Sequence, residues 1–246
     1  MSQRITTVFF DAAGTLFRVK GSVGRIYLRY AERFGVKQTP EMLAAVEEAF
    51  ARAFRDAPAP VFAVSDPTAI KRCERLWWFD VVHNVFYRVG MFEGFDDYFE
   101  EVFRAFEGPE HWELYPDTLE TLKALREEGV ELGIISNFDT RLFAVLRGLG
   151  LAEAFDTVTL SSFAKAAKPA PQIFRAAMAK HAVDADEALH VGDSLREDAE
   201  GALAAGMAAV LVDPQRRAAP AVAAVGGPVR GIRTLAELPA LIRASA

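Results

Sequence analysis

Cysteine is nearly absent from this 246-residue sequence: Cys73 stands alone. No disulfide can therefore form within the chain, no paired-cysteine metal site is possible, and nothing in cysteine usage points to an oxidising compartment. Long apolar runs are missing too. No stretch approaches the ~20 residues needed to span a bilayer, and Met1-Ser2-Gln3-Arg4 leads into a short strand-like segment instead of an apolar signal region. A soluble, cytoplasmic protein without a membrane partner is expected. Blocks of like charge are lacking. Net charge is -6, and Lys71-Arg72 and Arg216-Arg217 are isolated pairs that read as solvated surface. Nucleic acid is not an expected partner, because binding to its phosphate backbone needs a clustered basic face. There is no internal repeat and no low-complexity tract, and no feature points to an oligomeric state.

What is present is a chain that is 51% hydrophobic, enough for one large domain or two small ones. Ile5 to Phe10 is a compact β-branched and aromatic run that ends abruptly in Asp11-Ala12-Ala13-Gly14-Thr15. This reads as a buried strand followed by a tight polar turn. From about Tyr27 to Phe106 aromatic residues crowd into helical patterns, among them Phe50, Phe54, Trp77, Trp78, Phe86 and Phe99. The segment reads as a helical insert, broken near Pro58-Ala59-Pro60 and Asp66-Pro67, whose aromatic stripes form its own core. After Tyr115-Pro116 the pattern becomes regular. Asp117 with Glu120 is placed to form a capping box, Gly129 stops that helix, and strands are expected near 130–135, 157–160, 188–191 and 208–212. Helices are expected near 141–149, 171–181, 196–205 and 235–242, with an Ala/Pro/Gly-rich loop from Ala218 to Pro228. Strands alternating with helices imply an α/β fold, a Rossmann-like parallel sheet flanked by helices on both faces.

Such sheets bind ligands at the carboxyl ends of their strands, and the polar residues of interest sit just there. Asp11 follows the first strand. Gly14 lets backbone approach a bound anion, and free N–H groups of the turn, with Thr15, are suited to phosphate oxygens. Ser136 and Asn137 follow Gly133-Ile134-Ile135 and offer a hydroxyl and an amide to an anion. No Gly-x-Ser-x-Gly surrounds Ser136, so a serine nucleophile gains no support. Lys168 precedes Pro169 and the start of a helix. A fixed ammonium there would keep a neighbouring carboxylate ionised and neutralise phosphoryl charge. Asp193 and Asp198 lie five residues apart across a strand-to-helix turn, and hard oxygen ligands of that kind suit Mg²⁺. Each signal taken alone also fits a turn, a helix cap or a surface residue.

Together, their order and strand-end positions resemble the four motifs of the haloacid dehalogenase-like (HAD) hydrolase superfamily. The likeness covers Ile5 to Leu16 and Glu113 to Val212. It is closest in Lys168-Pro169-x-Pro171-x-Ile173-Phe174 and in Val191-Gly192-Asp193-Ser194-Leu195-x-x-Asp198-x-x-Gly201-Ala202. Asp11-Ala12-Ala13-Gly14-Thr15-Leu16-Phe17 with Gly21-Ser22-Val23-Gly24 is similar to the subgroup typified by a rhythmically expressed fly gene product. The resemblance implies a core of residues 1–18 and 110–246 and a helical cap of residues 19–109 inserted after the first motif. It further implies that Asp11 is a nucleophile forming an aspartyl-phosphate, that Ser136, Asn137 and Lys168 bind the phosphoryl group, and that Lys168 also bridges to Asp11. Mg²⁺ would be held by Asp11, the backbone carbonyl of Ala13 and Asp193, with Asp198 acting through water or as an orienter. The substrate would be a small phosphorylated molecule.

One position departs from the pattern. HAD phosphatases usually carry a second Asp two residues after the nucleophile, which protonates the leaving oxygen and then activates water. Here that position is Ala13. Three readings follow: a slow or specialised phosphatase, with His83, His111, a cap carboxylate or water supplying the proton; a metal-independent 2-haloacid dehalogenase, against which Asp193 argues; or a non-catalytic binding protein that kept the fold. A phosphonoacetaldehyde-type hydrolase also has Ala there but needs a Schiff-base lysine that Lys20, Lys37 and Lys71 do not match. Arg18, Lys20 and Arg25 could meet a second anionic group or be solvated surface.

Overall fold

A computed structural model describes residues 4–214 and 229–245. The Arg216-Arg217 pair and the 218–228 loop expected from sequence lie outside the described residues. In chain order the elements are β1 (Thr7–Phe10), β2 (Phe17–Val19), α1 (Val23–Ala31), α2 (Pro40–Asp56), α3 (Pro67–Val89), α4 (Phe95–Ala105) and β3 (Trp112–Leu114). There follow α5 (Thr118–Glu127), β4 (Glu131–Ser136), α6 (Leu142–Gly148), β5 (Thr157–Leu160), α7 (Ser161–Ala164) and α8 (Pro171–His181). The chain continues through β6 (Ala188–Gly192), α9 (Gly201–Ala204), β7 (Ala208–Val212), β8 (Val229–Ile232) and α10 (Leu238–Ser245). The described residues contain no helix long and apolar enough to cross a membrane.

Two compact units result. Of the described residues, one takes those up to Arg18, Leu114–Phe138 and those from Gly150 on; the other takes Val19–Glu113 and Asp139–Leu149. The first holds a six-stranded sheet in the order β5-β4-β1-β6-β7-β8, with every pairing parallel. The parallel sheet explains the apolar strands: Val8, Phe9 and Phe10 are fully buried because both faces of β1 are covered. Counted among themselves, these strands run 3-2-1-4-5-6, the doubly wound order. The chain reverses direction across the sheet between β1 and β6, and the loops after these two strands carry Asp11 and Asp193.

Local sequence sets most boundaries. Ser22 caps α1 through the Arg25 N–H. Thr39 and Asp66 do the same for α2 and α3 through the N–H groups of Met42 and Ala69, each followed by a proline whose missing N–H costs nothing at a helix start. The aromatic segment forms helices packed on one another. Tyr98, Phe86 and Phe99 are buried at its centre, with Phe86 and Tyr98 edge to face at 5.2 Å.

Some elements differ from expectation. Asp117 makes no side-chain cap bond; its Oδ2 instead accepts from the Ala236 N–H at 2.8 Å. A capping box does form at Thr234 and Glu237. The helix expected over 196–205 begins with a π-helical stretch, Leu195–Glu200, before α9. The expected helix near 141–149 is α6, and its segment packs within the helical unit. Strand β8 and the two-stranded sheet of β2 and β3 had no sequence signal, being only four and three residues long.

Candidate active site

The turn after β1 is wound tightly. Asp11 N–H bonds the Val191 carbonyl of the neighbouring strand, and the Ala12 carbonyl accepts from the N–H groups of Thr15, Leu16 and Phe17. Gly14 sits at φ 102°, and a Cβ there would lie 2.6 Å from the Asp193 carboxylate oxygens. Only glycine fits both requirements. The N–H groups of Gly14 and Thr15 are bonded inside the turn, and the Thr15 hydroxyl donates to Asp193 Oδ1 at 3.3 Å. These two residues therefore shape the turn and seat Asp193.

Lys168 joins the two halves of the site. Its ammonium donates to Asp11 Oδ1 at 2.7 Å and to Asp198 Oδ1 at 2.6 Å. The ammonium is buried. Asn137 fixes the backbone that carries it: Asn137 Oδ1 accepts from the Lys168 N–H at 2.8 Å, and Asn137 Nδ2 donates to the Lys168 carbonyl at 3.1 Å. Asn137 Nδ2 also reaches Glu197 Oε2 at 3.3 Å. Ser136 ends β4, and its buried Oγ accepts from the Phe138 N–H within its own turn. Gly192 leaves room for Asp198, whose carboxyl carbon would lie 2.1 Å from a Cβ at that position.

Electrostatics separate the three carboxylates. Burial pushes Asp11 up, Lys168 pulls it down, Asp198 pushes it up again, and the net direction is upward. Asp198 is held well below the usual carboxylate range: burial opposes this, but Lys168 and His190 outweigh it. Asp193 has an exposed face. Desolvation by the protein around its other sides, with the negative charges of Asp11 and Asp198, nonetheless pushes it up to about 7. Lys168 is raised by its two carboxylate partners despite its burial.

One oxygen from each of Asp11, Asp193 and Asp198 lies within 4.8 Å of the others. Three carboxylates against one ammonium leave the cluster with surplus negative charge, and a dianionic phosphoryl group would be repelled without a cation. The donors are all hard oxygens, as Mg²⁺ requires, and their spread is close to the ~4.2 Å that separates opposite ligands of an octahedral Mg²⁺. The residues present thus fit such an ion. Asp198 already accepts from Lys168, His190 and the Ser194 N–H, so most of its lone pairs are taken.

A haloacid dehalogenase-like hydrolase family description matches residues 5–206. The chain belongs to this family. It is 34% identical over 193 residues to haloacid dehalogenase-like hydrolase domain-containing protein 3 of Danio rerio, covering 78% of each chain. It is 41% identical over 106 residues, 43% of this chain and 44% of the relative, to a ribulose-1,5-bisphosphate 5-phosphatase of Halopiger xanaduensis. Among solved structures, the HAD-hydrolase YfnB of Bacillus subtilis, crystallised bound to magnesium, superposes with a TM-score of 0.72 at 18% identity over 98% of this chain and 100% of that one. An L-2-haloacid dehalogenase of Xanthobacter autotrophicus superposes with a TM-score of 0.69 at 20% identity over the same shares. At these identities the superpositions show the HAD fold alone. The family makes this chain a hydrolase.

All the HAD motifs that the sequence suggested come from the sheet-bearing unit, and Asp11, Lys168, Asp193 and Asp198 meet in one cluster. Of the other residues considered as proton donors, His111 is buried, with Nε2 3.2 Å from the Tyr30 hydroxyl, and His83 stacks with Phe79 and Tyr87 along α3. Arg18 lies 5.5 Å over the Tyr115 ring. Sequence reading missed His190 and Glu197. His190 lay inside an apolar strand, and Glu197 looked like one more solvent-facing helix residue.

Proposed function

We propose that this HAD hydrolase carries out Mg²⁺-dependent phosphoryl transfer from a small phosphorylated metabolite, through an aspartyl-phosphate on Asp11. The observation that carries the reading is the buried Lys168 ammonium between Asp11 and Asp198, set in a three-carboxylate cluster with surplus negative charge. Asp193, a third carboxylate beside Asp11 and Asp198, argues against a metal-free carboxylate nucleophile. In this reading Asp11, Asp193 and the Ala13 carbonyl would hold the ion, Asp198 would act through water or by orienting Lys168, and the helical unit would act as the cap. Bound there, Mg²⁺ supplies charge neutralisation and alignment of the phosphoryl oxygens.

The chain's own groups do the rest. A carboxylate oxygen of Asp11 attacks phosphorus in line, the P–O bond to the leaving group breaks, and that oxygen departs with the electron pair. Lys168 opposes protonation of Asp11 and takes charge from the phosphoryl group, and the Ser136 hydroxyl can donate to it. Asn137 instead holds the Lys168 backbone, and the Gly14–Thr15 turn, its N–H groups already bonded, seats Asp193. Water then attacks phosphorus, returning the Asp11 carboxylate and releasing inorganic phosphate.

Ala13 sets the limit on rate. A methyl group can neither protonate a leaving oxygen nor take a proton from water, and such help is worth about 10²–10⁴ in rate. Esters with good leaving groups, such as aryl and acyl phosphates, need the acid least. Turnover of p-nitrophenyl phosphate and acetyl phosphate is expected with Mg²⁺ and not after its removal by a chelator. Metal-independent chloride release from 2-chloropropionate would favour a dehalogenase instead, and folded protein inert to all three compounds would shift the balance toward a binding protein. Ala13→Asp is expected to raise p-nitrophenyl phosphate turnover by about tenfold or more. An unchanged steady-state rate would mean that proton transfer at this position does not limit the reaction.

A further inference from the structure

We infer that His190, buried in the central strand β6, is a positioning residue that fixes Asp198 and thereby tunes how tightly the carboxylate cluster holds its divalent cation. The inference rests on the metal-dependent reading above. His190 is fully buried and pairs in register with Phe9 on β1 and Ala209 on β7. Its ring meets Phe174 edge to face at 5.1 Å. Phe9, Phe174, Ala188 and Ala209 all belong to one apolar core cluster, and an aliphatic side chain would suit that setting better than an imidazole.

The imidazole is nevertheless committed in one direction. His190 Nε2 lies 2.9 Å from Asp198 Oδ1, the oxygen that also accepts from Lys168. Because that carboxylate is already ionised by its lysine partner, the bonding proton belongs to Nε2. Nδ1 is then a bare acceptor, and it has no hydrogen-bond partner among the described residues. An orphaned buried acceptor is a standing penalty. Its return is the Nε2–H bond, which together with the Ser194 N–H on Oδ2 holds the Asp198 carboxylate over Gly192. Carboxylates beside a metal lose affinity when the groups that orient them are removed.

The test separates packing from positioning by titrating Mg²⁺ alone against thermal unfolding of the full chain. His190→Leu removes both the orphaned atom and the donor. Without metal it is expected to melt at or above the wild-type temperature. Its Mg²⁺ concentration for half-maximal stabilisation is expected to rise by about tenfold or more. His190→Gln, whose amide nitrogen can reach the place of Nε2, should stay within about threefold of wild type. Should the leucine variant fail to fold, His190→Met carries the same comparison. A donor-free variant with the wild-type Mg²⁺ midpoint, or a glutamine variant as impaired as the donor-free one, overturns the inference. Wild-type protein whose unfolding ignores Mg²⁺, or responds equally in Asp193→Asn, overturns the metal reading itself.

Discussion

Asp11→Asn is expected to lower p-nitrophenyl phosphate turnover by at least ~10³-fold while leaving the protein folded. The amide oxygen is neutral and cannot form a stable acyl phosphate, so the covalent route closes. The substitution is sterically conservative. Lys168 keeps its bond to Asp198 and can still donate to the amide oxygen in place of Asp11 Oδ1. Burial already disfavours the charge on Asp11, so a neutral side chain at this position should be tolerated. Turnover and melting temperature measured on the same preparation separate the two effects. Residual activity above about a tenth of wild type would mean that water attacks phosphorus directly, with Asp11 serving only the cation.

The second large effect concerns stability. Asp139→Ala is expected to destabilise the protein by roughly 3–5 kcal/mol, the usual loss when one member of a buried ion pair is removed. Arg141 donates through Nε and Nη2 to the two Asp139 oxygens at 2.9 and 2.6 Å. Trp78 Nε1 adds a bond to Asp139 Oδ2 at 2.6 Å, and Arg141 Nη1 donates to the Phe103 carbonyl at 3.0 Å. The guanidinium carbon lies 4.0 Å over the Phe103 ring. Both charged side chains are buried, so removing the carboxylate leaves a guanidinium stranded in an aromatic setting. Replacing both partners, as in Asp139→Leu with Arg141→Met, should recover most of the loss. Burial pushes Asp139 up, but Arg141 outweighs it and the carboxyl lies below its ordinary value. A lowered folded value means that the stability it contributes is fully present above the unfolded value of about 3.9 and is lost as pH falls through the folded one. Wild type should therefore lose its advantage over the double variant only below about pH 4. Urea titrations across that range measure it, and a loss under about 1 kcal/mol for Asp139→Ala at neutral pH would show that the pair is not the anchor its burial suggests.

The candidate site was legible in the sequence because its residues punctuate apolar strands. Asp11, Ser136 and Asp193 each break a buried run, and a parallel sheet brings such breaks to one edge whatever the intervening chain does. The helical character of the inserted segment was legible as well, from its aromatic spacing, and Asp66-Pro67 marked a helix start within it; that Asp139–Leu149 packs with that segment was not. Residues whose role depends on a partner distant in sequence were not. His190 reads as a blemish in a strand until Asp198 is seen folded back over Gly192. Arg141 reads as the start of an ordinary helix until Asp139, Trp78 and Phe103 are seen around it. Asp117 looked like a helix cap, but the more distant Ala236 N–H won its carboxylate. Local pattern gives the strand-end carboxylates; tertiary competition for hydrogen bonds decides what surrounds them.

Acetyl phosphate tests most directly whether Asp11 becomes phosphorylated. Acetate leaves without help from an acid, so phosphoryl transfer to Asp11 needs no proton donor at position 13. The following attack by water lacks a base there, so the intermediate should accumulate. Protein mixed with acetyl phosphate and Mg²⁺, quenched in acid and digested, is expected to yield the peptide containing Asp11 with one phosphoryl group added. The adduct should be absent without Mg²⁺ and in Asp11→Asn. Turnover of acetyl phosphate with no adduct on Asp11 at any quench time, or an adduct on a different residue, would contradict the assignment of Asp11 as the nucleophile.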